Sequence, residues 1–438
     1  MTTRRNLMKA TLGGGALALG ATALGPARRA AGQEPIEIRV HSNVGVDGDV
    51  VRQRSAEMTA ENPAVVVVPE LFVQAEYFQK FQVLIAGGQL GDVMFSSTFT
   101  GTYPLWAARN VYTPLDDFLA AEDFDPSPYF PAAWVGQTVN GQIYGITYKA
   151  HPSSALLYYN RTMFDAAGLP EPTDEMTLDE FVEAAEALTA GDVFGYYAQP
   201  SHFQHYPTAA QQFGRQLFSA DGMTAHFNSE ESIAALRFDY DNIHVRGIHP
   251  PRELAPENPR DLFVNGRVAM YKSGTWDISL GKQIVDAFEW GMVQFPVGPG
   301  GDRAAVFTQD CMGVTEASPH KAEAWEVVKG LTNQRTGILL GLGGEPDTGN
   351  SGTAGGRIDV YESKELQTNP DYTPEVNEAR YRALQAAVPL NLAHNYRMTE
   401  IQTVVTAAMD ELWAGTAPEQ AWADEVNSRI QDILAEPI

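Results

Sequence analysis

Cysteine is nearly missing from this chain: Cys311 is the only one in 438 residues. A single thiol excludes an intrachain disulfide and any zinc site made of cysteine pairs. A chain of this length needs no such staple, because it can bury a sizeable core. Basic side chains are scarce as well. Lys and Arg number 30 against 55 Asp and Glu, a formal charge of −25. That excess repels phosphate backbones and anionic lipid surfaces, so nucleic acid is not an expected partner. No run reaches the ~20 apolar residues of a membrane-spanning helix. HExxH, GxSxG and CxxC are absent, and no GxGxxG sits between a strand and a helix. No catalytic residue, metal site or cofactor is therefore expected.

What is present is an ordinary globular balance, 44% hydrophobic and 19% charged, on a length that suits two or three compact units. The first 32 residues stand apart. They hold Arg4, Arg5, Lys9, Arg28 and Arg29 and no acid. A basic start (2–9) leads into a weakly apolar run (10–25), then PARRAAGQ, with small residues placed for a cut before Gln33. Thr3-Arg4-Arg5-Asn6-Leu7-Met8-Lys9 resembles the twin-arginine (Tat) export signal, whose pattern is Ser/Thr-Arg-Arg-x-apolar-apolar-Lys. The resemblance implies export to the periplasm or exterior. No cysteine follows the apolar run, so a lipoprotein is not expected. Without this segment the charge deepens to −30, from 25 bases against 55 acids.

Periodicity along the remainder alternates strand and helix. IEIRVH (36–41), AVVVVPE (64–70) and GDVMFSS (91–97) read as strands. Helical spacing lies between them around Val50, Ala56 and Met58 and again over 76–88. This β-α-β-α-β order predicts an α/β fold with a mostly parallel sheet. QIYGITY (142–148) and SSALLYY (153–159) are further strand candidates. Thr177 and Glu180 form a capping box for a helix over 177–189. A second helix is predicted over 318–332, with Ser318 as N-cap and Pro319 behind it. Helical spacing returns from Ile401 to Leu412, stops at Gly415, and resumes through Trp422, Val426, Ile430 and Ile433.

Several chemistry-bearing residues have plainer readings. His202 and His205 lie three apart, but Pro200 and Pro207 bracket them, which favours a loop or pocket wall over a metal site. Asp47-Gly48-Asp49 lacks the further oxygens of a calcium loop. Asp116-Asp117 is ordinary surface in so acidic a chain. Tyr158 and Tyr159 would face opposite sides of a strand. The glycine-rich stretch 341–356 reads as a loop, since GK[ST] is absent. More telling is a set of aromatics beside polar residues in predicted loops: Phe99, His151, His202, Phe203, Tyr206, Trp276 and Tyr396. Aromatic rings stack on the C–H faces of sugars, while Asp, Asn, Gln and His bind the hydroxyl rim.

Longer segments resemble the extracellular solute-binding proteins of ABC importers, family 1, the maltose-binding-protein-like group. They are GDVMFSSTFTGTYPLWAARNVYTPLDDFL (91–119), NGQIYGITYKAHPSSALLYYNRTMFDAAGLPEPTDEMTLDEFVEAAEALT (140–189), FVNGRVAMYKSGTWDI (263–278) and GVTEASPHKAEAWEVVKGLT (313–332). The chain departs from the family in lacking a lipobox cysteine and at GGEPDTGNSG (343–352). The resemblance implies two α/β lobes of the type II periplasmic-binding fold, with a ligand cleft between them. Lobe one would comprise 36–149 and 306–352, lobe two 150–305 and 353–438, with the hinge near 148–153 and 305–310. It implies a non-enzymatic, monomeric receptor that closes around a sugar or oligosaccharide and hands it to a membrane permease. Carried over by position, the implied ligand-binding residues are Asn43, Ser96, Ser97, Phe99, His151, Ser153, Phe203, Tyr206, Trp276, Asp277, Gln309, Asp310 and Tyr396. Alternatives are a receptor for a polyol phosphate or polyamine, or a secreted carbohydrate-active enzyme.

Overall fold

A computed structural model describes residues 34–284, 287–343, 352–369 and 372–438. The export signal and most of GGEPDTGNSG lie outside the described residues. Ile36–Ile438 forms one body, built on two main sheets. Its strands are β1 (Ile36–Asn43), β2 (Val65–Phe72), β3 (Val93–Ser97), β4 (Thr138–Val139), β5 (Gln142–Ile143), β6 (Ile146–His151), β7 (Leu156–Asn160), β8 (Phe194–Tyr197), β9 (Val268–Ser273), β10 (Trp290–Gln294), β11 (Val306–Val314) and β12 (Val388–Pro389). β4 and β5 pair apart from the main sheets as a two-stranded sheet.

The first sheet runs β12-β11-β3-β1-β2, with β6 also pairing β11. β1 lies parallel to both β2 and β3, and β11 runs antiparallel to β3 and β6. Helices Val46–Glu61 and Gln74–Ala86 make the crossovers between the parallel strands, as a parallel pair requires. Ile38, Val40, Val93 and Met312 are fully buried in one core.

The second sheet runs β10-β7-β9-β8, and its two faces feed separate cores. On β7, Leu156 and Tyr158 join one core while Leu157 and Tyr159 join the other. This is the two-residue alternation of a strand covered on both faces. It also places the two tyrosines on opposite sides. The last two helices, Met398–Trp413 and Gln420–Leu434, pack Ile401, Leu412, Val426 and Ile430 into the first of these cores.

The chain passes between the sheets where β6 leads into β7 and where β10 leads into β11. Thr308 pairs with His151 at that crossing, and Ser153 turns the chain with φ 58°. The predicted helix over 177–189 forms as Leu178–Leu188, and both bonds of the Thr177/Glu180 capping box are made. The strand predicted over 142–148 is broken into β5 and β6. The helix predicted from Ser318 starts later, at Lys321. Ser318 Oγ instead donates to Asp92 Oδ1 at 2.6 Å and accepts from the His320 amide. A tertiary partner has taken the hydroxyl from its capping role.

Candidate functional site

A cavity of about 850 Å³ opens where the strand ends of the two sheets meet. The ends of β1 and β3 bring Asn43 and Ser97 to it, the start of helix Val46–Glu61 brings Asp47, and the crossing strands bring Lys149, His151, Thr308 and Asp310. From the second sheet's side come His202, Phe203, Arg260 and Trp276. Ligands gather at such carboxyl ends in open α/β sheets. Gly48 permits the close turn after β1, because a Cβ there would meet Asn43 O at 2.7 Å.

The floor of the cavity is an ionic cluster. Lys149 Nζ donates to Asp47 Oδ2 at 2.8 Å and lies 3.3 Å from Asp310 Oδ2. His151 Nε2 sits 3.4 Å from the same Asp310 oxygen, and its Nδ1 3.4 Å from Thr275 Oγ1. Burial works to raise the Asp310 carboxyl, but the Lys149 charge and the His151 contact prevail and hold it at about 2. Burial likewise opposes the Lys149 charge, yet Asp47 and Asp310 together push its pKa above the ordinary lysine value. The lysine is thus fixed as a cation between two carboxylates. Two acceptors near by remain unspent: Asn43 Oδ1 and Asp47 Oδ1 are buried and take no hydrogen bond from any described residue. Buried acceptors normally have partners, so these two are left unsatisfied beside the cavity and would meet a ligand's donors only after a small side-chain turn.

One wall is aromatic. Trp276 stacks on His202 (ring centroids 5.5 Å apart, 28° between planes), and His202 stacks on Phe203 (4.5 Å, 28°). His151 tilts against Trp276 at 5.8 Å, and Phe99 against Phe203 at 4.9 Å. Burial lowers the His202 pKa to about 4. The imidazole is therefore neutral at pH 7, and the ladder carries no charge of its own.

The cavity gathers six of the thirteen residues expected from sequence: Asn43, Ser97, His151, Phe203, Trp276 and Asp310. The other seven point elsewhere. Ser96 is buried behind the wall and accepts from Tyr112 Oη at 2.6 Å. Phe99 lines a separate narrow apolar pocket with Phe218 and Met398. Ser153 lies 3.3 Å from Thr308 Oγ1 at the crossing. Tyr206 belongs to a core, with its ring 4.7 Å from Phe227. Asp277 is held by Arg260, Tyr271 and Ser273. Gln309 donates to Ala133 O at 2.8 Å, and Tyr396 points at Asn140 from a positive-φ backbone. Asp47, Lys149, Thr308 and Arg260 were missed. Strand alternation could have found two of them, since Lys149 shares a face with His151 and Thr308 with Asp310. Among the described residues, no group of three His, Cys, Asp or Glu is placed to hold a metal ion. No helix among them is long and apolar enough to cross a membrane.

The family described as bacterial extracellular solute-binding protein matches residues 55–336, and the chain belongs to that family. A putative binding protein of Brucella abortus is 24% identical over 279 residues, which cover 61% of this chain and 65% of that relative. The match thus spans about two-thirds of the curated relative's length, just under that share. Among solved structures, an ABC substrate-binding protein of Listeria monocytogenes in complex with cycloalternan matches with TM-score 0.75 and 23% identity, over 91% of this chain and 99% of that one. UgpB of Mycobacterium tuberculosis in complex with glycerophosphocholine matches with TM-score 0.75 and 17% identity, over 92% and 99%. At these identities the likeness establishes the shared two-lobed α/β fold. The family is one of binding proteins rather than enzymes.

Proposed function

We propose that this solute-binding protein captures a sugar or oligosaccharide in the 850 Å³ cleft and delivers it to the membrane permease of an ABC importer. One observation carries the reading. A stacked, uncharged ladder of Trp276, His202 and Phe203 stands across from unspent acceptors on Asn43 and Asp47. Rings suit the apolar faces of a pyranose, and acceptors left without partners suit its hydroxyl rim once their side chains turn toward it. The volume lies in the usual range for ligand sites. Six of the residues expected from sequence would contact the ligand, joined by Asp47, Lys149 and Thr308. Phe99 would act by backing Phe203.

Closure would be a hinge motion at 148–153 and 305–310, bringing 36–149 and 306–352 against 150–305 and 353–438. β12 would travel with the first sheet, which it joins through β11. The permease would read the closed form, whose population the ligand raises. Export through the twin-arginine signal, cleavage before Gln33 and release as a monomer complete the proposal. A polyol phosphate is the second reading, supported by the glycerophosphocholine complex of the similar UgpB. A thermal-shift screen of the exported protein against neutral and acidic sugars tests the first reading. A true ligand at 100 times its Kd adds ~2.7 kcal/mol of stability. No shift from any mono-, di- or trisaccharide at millimolar concentration would overturn it.

A further inference from the structure

Behind the Trp276–His202 wall lies a second chamber of about 180 Å³, which shares His202, Arg260 and Trp276 with the main cleft. Lys272, from β9, reaches into it. The residue is 4% exposed. Its ammonium rests 4.5 Å from the centroid of the Phe295 ring, and it makes no hydrogen bond or ion pair with any described residue. A buried ammonium normally has a carboxylate beside it. Here the carboxylates are committed elsewhere. Asp277 accepts from Arg260 Nε through one oxygen and from Tyr271 and Ser273 through the other. Asp239, on helix Glu230–His244, is bound by His205 Nε2 at 2.7 Å. It does not line the chamber. Burial lowers the Lys272 pKa to about 8, with the more distant Asp239 charge opposing. The neighbouring His202 and His205 are also lowered by burial and add no acceptor charge.

We propose that this chamber is an anion subsite, in which Lys272 pairs with a carboxylate, phosphate or sulfate substituent of a ligand whose polyhydroxy body lies in the main cleft. The body's placement rests on the sugar reading above; the pairing with Lys272 does not. The chamber opens beside Trp276 and has room for a charged group next to Lys272. Charge-assisted bonds of this kind are roughly twice as strong as neutral ones. The transported solute would then be an acidic sugar or a sugar phosphate rather than a neutral one.

The test is calorimetric titration of the exported protein and of Lys272→Met with matched probes. These are glucose, glucuronate and glucose 6-phosphate, then maltose and digalacturonate, and finally inorganic phosphate and sulfate. At least one acidic probe should bind about tenfold or more tighter than its neutral partner, and the gain should vanish in the variant. At pH 8.5 its binding should take up a fraction of a proton, read from the buffer dependence of the heat. The uronate and phosphate-ester arms separate the two sources of the anion. Should Lys272→Met fail to fold, the wild-type protein decides. Phosphate or sulfate should raise the pKa of one buried lysine in a side-chain NMR titration. Neutral sugars binding as tightly as acidic ones, with Lys272→Met within twofold of wild type, would overturn the subsite and leave the sugar reading standing. A Lys272 response to phosphate without binding of any sugar would do the reverse. No response to any probe would sink both.

Discussion

Replacing Trp276 by alanine separates binding from folding at one position. The indole belongs to none of the hydrophobic cores. Its contacts are the rings of His202 and His151, and it remains partly exposed to the cleft. Gly274 gives it a seat, since a Cβ there would collide with the ring. If a sugar covers the open face, some 60–100 Å² of apolar surface leaves water. At ~25 cal/mol per Å² that is ~1.5–2.5 kcal/mol, a loss of about ten- to seventyfold in affinity. The folding cost should be small by comparison. A core tryptophan truncated to alanine costs ~3–5 kcal/mol; a ring outside the cores, seated on Gly274 and two cleft imidazoles, should cost under ~1.5 kcal/mol. Titration calorimetry with the ligand found in the sugar screen gives the first quantity, and urea unfolding of the ligand-free protein gives the second. Wild-type affinity combined with a fall of several kcal/mol in stability would refute the stacking role and make the ring a structural one.

Two further expectations follow from the same structure and one from the sequence. Lys149→Met leaves Asp47 and Asp310 facing each other without their cation, so stability should fall by ~3–5 kcal/mol; a loss under ~1 kcal/mol in urea unfolding would contradict the cluster. His202 and His249 titrate at about 4 because burial disfavours their charged forms, whereas in the unfolded chain they titrate near 6.5. The unfolded state therefore binds more protons between pH 6.5 and 4, and stability should decline by a few kcal/mol as pH falls through that window. Unfolding curves at pH 7.5, 6.0 and 4.5 that coincide would count against this. Replacing Arg4 and Arg5 by Lys should abolish export of the folded protein, read by cell fractionation; unchanged export would remove the twin-arginine assignment.

Much of the fold was legible because periodicity and local caps report on local structure. The capping box at Thr177 and the β-α-β-α-β order needed no tertiary information. Ser318 misled for the opposite reason. Its hydroxyl and the proline after it make a good helix start, but Asp92, 226 residues away in sequence, claims the hydroxyl. No local pattern carries that contact. The same limit governed the site. Ser96 and Ser97 are adjacent and chemically alike, yet only Ser97 reaches the cleft, while Ser96 turns back to Tyr112.

Alternation along β11 shows why site and scaffold are hard to tell apart in such a chain. Thr308 and Asp310 face the cleft, while Gln309 between them bonds the backbone of Ala133, and Cys311 and Met312 are sealed in the core. One strand thus supplies the floor of the cavity and the packing beneath it, residue by residue. Reading such a strand requires its register, and the register is fixed by β3 and β6, not by the strand itself. Lys149 and Asp310 lie on two of these paired strands, and Asp47 begins the helix after β1. The ion cluster they share therefore exists only once both crossovers are formed. A substitution that shifts β11 by one residue would exchange Gln309 for Asp310 at the floor. It would strand Lys149 without one of its two carboxylates and so cost binding and folding together.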